Sequence, residues 1–140
     1  MLKETAATYS LEKGCNCAES TLLAVNDEYG LGLGDEEIKL VSGFGGGLAS
    51  GLACGALCGS LAALGRMLLN GRAHTDPDFR PLCAEYVAAF REAMGGTDCR
   101  EIRDRWFVPG RGCVAAVEKN AELFASFVES HGLNQKESGK

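Results

Sequence analysis

Histidine is almost missing from this sequence. Its 140 residues include only two, His74 and His131, and both read as solvent-facing loop residues rather than ligands. No local Ser-His-Asp arrangement and no paired-carboxylate signature appears; the acidic residues read as solvated helix faces. Clustered basic charge is missing too. The net charge is −5, with no basic stripe and no run of like charges, which argues against nucleic acid as a partner. The opening residues MLKETAATYS lack the apolar stretch of a secretory signal, so a cytoplasmic location is expected. No apolar/polar alternation marks a strand, and no internal repeat or linker divides the chain. The C-x-x-C pair is absent, leaving only Cys15-x-Cys17 and Cys54-x-x-x-Cys58, so the spacing announces no zinc site.

What remains is cysteine and helix. There are seven cysteines, an odd number without an export signal, which points to metal or redox chemistry rather than a disulfide scaffold. The apolar fraction of 46% is enough to build a core. Helical periodicity runs almost throughout. Residues 2–12 predict a short helix ending at Gly14. Asn16 caps a second, with Glu19 in its first turn and Gly30 as its stop. Asp35 caps a third that fails at the glycines. A fourth runs from about Leu52 to Leu69. A fifth has Pro81 in its first turn and ends at Gly95–Gly96. Thr97 caps a short sixth. A last helix begins near Cys113, with Val114, Val117, Ala121, Phe124 and Val128 on one face. The expected fold is all-α, a single-domain bundle of about five to seven short helices over residues 1–133, followed by a polar, disordered tail at 134–140.

The stretch GFGGGLASGLACGALCG, Gly43 to Gly59, carries glycine at every fourth position. No charged residue falls between Leu40 and Gly65, which is long enough for a membrane span, but glycine and alanine are weakly hydrophobic and GFGGG is a poor helix. A phosphate loop fails as well, because neither G-x-x-x-x-G-K-[ST] nor G-x-G-x-x-G is present and no strand precedes it. The favoured reading is a turn at Gly45–Gly47, a helix capped by Ser50, and a glycine face at Gly51, Gly55 and Gly59 that lets another backbone approach.

Four cysteines fall at or near predicted helix starts: Cys17, Cys54, Cys99 and Cys113. Unpaired N–H groups and the positive end of the helix dipole favour a thiolate there. They are expected to lower the thiol pKa and so to produce a nucleophile or a metal ligand. Cys54 is the expected attacking thiolate. Cys58, one turn along the same face, is a candidate resolving thiol. Cys15 and Cys83 read as plain buried residues.

With these residues in view, the chain resembles the C-GCAxxG-C-C family of redox-active proteins. NCAES carries the first cysteine, Cys17; CGALCG, Cys54 to Gly59, is the CGAxxG motif; TDCREI carries Cys99 and GCVAAV carries Cys113. The resemblance implies a helical domain whose four cysteines are redox-active or hold a redox centre. It extends to haem-bearing relatives, but C-x-x-C-H is absent here, so covalent c-type haem is not expected. Three functions follow as expectations. The first is thiol–disulfide exchange at Cys17, Cys54, Cys99 and Cys113, as in a thiol-dependent oxidoreductase with a redox partner protein or a small thiol. The second is electron transfer through an iron–sulfur cluster or metal ion held by the same four thiolates. The third is a non-catalytic interaction protein whose glycine ladder packs against a partner helix. A homodimer is open in each case, with the cluster Trp106, Phe107 and Val108 as interface or core.

Overall fold

A computed structural model describes residues 1–133. Among these the chain forms seven α-helices and no named strand, so the all-α expectation holds. The expected tail, 134–140, lies outside the described residues.

Local signals set most helix ends. Helix α1 (Leu2–Glu12) buries Leu2, Ala6 and Ala7. Helix α2 (Cys17–Tyr29) starts at Asn16, whose side chain accepts the Glu19 N–H at 2.9 Å, while the Glu19 carboxylate accepts the Asn16 N–H at 2.9 Å. This reciprocal pair satisfies two of the N–H groups that a helix start leaves open. Gly30, left-handed at φ 63°, stops the helix. Helix α5 (Phe79–Met94) ends likewise on left-handed Gly95. Helix α7 (Val114–Ser130) buries all five residues of its predicted face, Val114, Val117, Ala121, Phe124 and Val128.

The glycine-rich region departs from expectation. Helix α3 (Asp35–Ile38) is capped by Gly34 rather than Asp35, and tightens into a 3₁₀ turn over Lys39–Phe44. From Gly46 to Ala49 four consecutive residues are left-handed, including Leu48 (φ 61°) and Ala49 (φ 60°). Helix α4 (Gly55–Leu68) therefore begins at Gly55, not Leu52, and Cys54 rather than Ser50 is its cap residue. The displacement has a tertiary cause. Residues 52–54 are drawn against 97–99 in a short antiparallel bridge between Ala53 and Asp98. The Cys54 N–H donates to the Thr97 carbonyl at 2.8 Å, and the Cys99 N–H donates to the Leu52 carbonyl. Helix α6 (Cys99–Trp106) correspondingly starts after Asp98, one residue later than a Thr97 cap implies.

Helix α4 packs mainly on α2, and α1 on α7 and α2. The core holds Leu64, Tyr86, Phe90, Met94, Ile102 and Phe124, all fully buried. A polar triangle sits within it. Tyr86 donates to Asn120 Oδ1 at 2.6 Å, and Asn120 donates to Ser60 Oγ at 3.0 Å. Ser60 Oγ in turn donates to the Ala56 carbonyl at 2.9 Å, in the first turn of α4. The apolar cluster near the last break splits: Trp106 packs on the core and donates its indole N–H to the Met94 carbonyl, whereas Phe107 and Val108 are 43% and 46% exposed. Among the described residues no helix is long and apolar enough to cross a membrane.

Candidate functional site

All four predicted cysteines stand at helix starts. Cys17 and Cys99 are the first residues of α2 and α6, and Cys54 and Cys113 are the cap residues of α4 and α7. The fold gathers these starts by backbone pairing and by missing side chains. The bridge between 52–54 and 97–99 couples Cys54 to Cys99. A tight turn at 108–112, closed by Val108 N–H to Gly112 O at 2.9 Å and the reverse bond at 2.8 Å, delivers Cys113.

Two glycines leave the space. A Cβ on Gly55 would collide with Cys17 Sγ, and it would lie 3.1 Å from the Phe44 carbonyl oxygen. The sulfur of Cys17 thus rests on the backbone next to Cys54. A Cβ on Gly47 would strike the Leu52 carbonyl and Cys99 Cβ. Gly59 continues the close approach of α4 to α2, since a Cβ there would lie 2.8 Å from the Ala18 carbonyl. The predicted glycine face is therefore real at Gly55 and Gly59, but it is used inside the molecule against α2. Gly51 is not on it; it lies before the helix, left-handed, against the Arg100 side chain.

Cys17, Cys99 and Cys113 line one cavity of about 230 Å³. Cys15 lines it too, so the expectation of plain burial for Cys15 is corrected: it is half-buried and faces the same space. The short Cys15-x-Cys17 spacing was the available signal, together with Gly14, which turns the chain at φ 73° after α1. Arg103, Arg111, Phe107, Val114 and Val117 complete most of the wall. Cys54 is 5% exposed and does not reach the cavity. Cys58 and Cys83 are half-buried and lie outside its lining.

The expected lowering of the thiol pKa does not occur at Cys54, Cys99 or Cys113. Burial first, and the neighbouring Cys17 second, push Cys54 up to about 12; the N–H groups of Ala56 and Leu57 oppose this without prevailing. Burial removes water from a charge that the helix start only partly replaces. Cys58, Cys99 and Cys113 are raised for the same first reason, and each also feels the charge of Cys17. Arg103 opposes the rise at both Cys99 and Cys113. Cys17 is thus the electrostatic neighbour that Cys54, Cys58, Cys99 and Cys113 share. At neutral pH, Cys54 is a protonated, enclosed thiol and a poor first nucleophile.

Among the described residues, the same thiols are the donors an iron–sulfur cluster or a metal ion would use. Among the described residues no three His, Cys, Asp or Glu side chains are grouped as holding a metal ion requires. All seven cysteines are free.

A family model described as "Putative redox-active protein (C_GCAxxG_C_C)" matches residues 15–127. The chain belongs to this family. The match begins at Cys15 and takes in all four helix-start cysteines and the CGALCG motif, so the resemblance seen in the sequence is the correct assignment. The family's redox character accords with a fold that spends its glycines on placing thiols. No curated protein and no solved structure shows a significant match to the chain.

Proposed function

We propose that the protein is a thiol–disulfide redox protein whose working thiols are those of the cavity, with Cys17 at the centre. One observation carries this reading: three of the four helix-start cysteines line one solvent-reached cavity, and the Cys17 sulfur rests against Gly55, the residue after the fourth, Cys54. A cavity thiol, Cys99 or Cys113 beside Arg103, makes the first attack. Cys17, which adjoins both the cavity and Cys54, closes the intramolecular disulfide. Cys54 follows as a buried reserve rather than as the opening nucleophile. This reading supports a thiol-dependent oxidoreductase acting with a redox partner or a small thiol.

Titration with a mild oxidant under anaerobic conditions tests it. The colourless reduced protein is expected to lose two hydrogens in intact mass, with the new disulfide mapped to Cys17 and a cavity partner. Cys17→Ser is expected to abolish that reversible change. Visible absorption with stoichiometric iron after anaerobic purification would overturn the reading, as would unchanged cycling in Cys17→Ser.

A further inference from the structure

The charge around the cavity singles out a ligand class. The protein is acidic overall, at −5, yet among the described residues the charged ones lining the cavity are Arg103 and Arg111. The Arg103 guanidinium lies 4.6 Å from the Phe107 ring centre, and the two side chains form one wall. Arg111 is 47% exposed and reaches Glu118 at 3.6 Å, a long pairing that leaves it open to solvent. Glu19 also acts on the cavity, through its charge on Cys15. Four thiols, Cys15, Cys17, Cys99 and Cys113, thus share a small space with two guanidiniums. Guanidiniums recognise carboxylates by paired, charge-assisted hydrogen bonds.

We propose that this cavity binds a small disulfide bearing carboxylates, with Arg103 and Arg111 holding the anionic ends while a cavity thiol attacks the sulfur. The inference rests on the thiol–disulfide reading and names its substrate class. The step balances without another oxidant. A cavity thiol gives up its proton and attacks one sulfur of R–S–S–R. A protein–S–S–R bond forms, the R–S–S–R bond breaks, and R–S⁻ leaves and takes up the proton. A second cavity thiol loses its proton and attacks the protein sulfur. This forms the intramolecular disulfide and expels the second R–S⁻, which is protonated in turn. Two protein thiols are oxidised and one small disulfide is reduced to two thiols.

A charge series of similar small disulfides tests this: dithiodipropionate (anionic), hydroxyethyl disulfide (neutral) and cystamine (cationic). Rates of oxidation of the reduced protein are divided by those of 2-mercaptoethanol with the same disulfides. The wild type is expected to prefer the anionic over the cationic disulfide by about tenfold, corresponding to about 1.4 kcal/mol. The net negative charge of the chain would by itself produce the opposite order, so such a preference is local. The double variant R103Q/R111Q is expected to lose the order, whereas R103K/R111K keeps much of it; circular dichroism checks that each is folded. Cystamine reacting as fast as dithiodipropionate in the wild type would overturn the inference, as would a preference that survives in R103Q/R111Q. Equal rates for all three leave the thiol–disulfide reading standing and sink this one. No oxidation by any of them sinks both.

Discussion

A single absent methyl group does much to place Cys17. Its sulfur occupies the space that a side chain at position 55 would fill, so the glycine following Cys54 in CGALCG serves a neighbouring helix rather than its own. Gly55→Ala is expected to push the Cys17 sulfur away or to part α2 from α4. Overpacking of this kind costs about 1–3 kcal/mol, and urea unfolding measures it. Alkylation of Cys17 should change rate in the same variant, because its resting place is gone. A variant as stable as the parent and with unchanged Cys17 kinetics would show that the contact has no such role. The substitution is mild by size, and alanine is the better helix former, so a loss of stability would be due to the contact.

At the level of elements, the left-handed run from Gly46 to Ala49 is the unusual piece. Two of its four residues carry side chains, in a conformation that costs a non-glycine residue about 1–2 kcal/mol. The run is held from outside: Leu52 N–H donates to the Gly47 carbonyl at 2.8 Å, and Gly47 sits against Cys99. Ala49 is exposed, so Ala49→Gly removes the steric conflict and little else. It is expected to stabilise the protein by about 0.5–1 kcal/mol, after the extra freedom of glycine in the unfolded chain is counted. Thermal unfolding checks the sign; a destabilised variant would mean that the turn is not left-handed at Ala49. This run also marks where the sequence stops being legible. Asn16 with Glu19, Gly30 and Gly95 could be read because their bonds close within a few residues. The start of α4 could not, because it depends on residues 52–54 pairing with 97–99, far along the chain. The helix-start cysteines were readable one by one. Which of them share a cavity was not, and the short Cys15-x-Cys17 spacing gained its meaning for Cys15 once the fold brought that cavity together. The pKa expectation failed at Cys54, Cys99 and Cys113 because burial is a property of the packed molecule, whereas a helix start is local.

For the molecule as a whole, the raised thiols tie stability to alkaline pH. A group whose pKa is higher folded than unfolded stabilises the fold fully below its unfolded pKa and loses that contribution as pH rises. Cys54 goes from an ordinary value of 9.0 to about 12, so its contribution is complete below about pH 9 and fades between there and about 12. The span corresponds to a stability change on the order of 4 kcal/mol. Tyr86, raised by burial, bends the curve in the same direction. Cys54→Ala is expected to be less steeply destabilised above pH 9 than the parent, as followed by urea midpoints from pH 7 to 11. Parallel curves would show that Cys54 is not buried as a neutral thiol.

The pairing of Cys54 N–H with the Thr97 carbonyl has a further use. No reagent reaches the Cys54 sulfur until that seam and its neighbours part, so its labelling rate becomes a clock for local opening. With the reagent in excess, the rate levels off at the speed at which the seam opens. A protein that reports the breathing of its own site through one enclosed sulfur lets that motion be timed in the reduced and the oxidised state, with no foreign residue introduced.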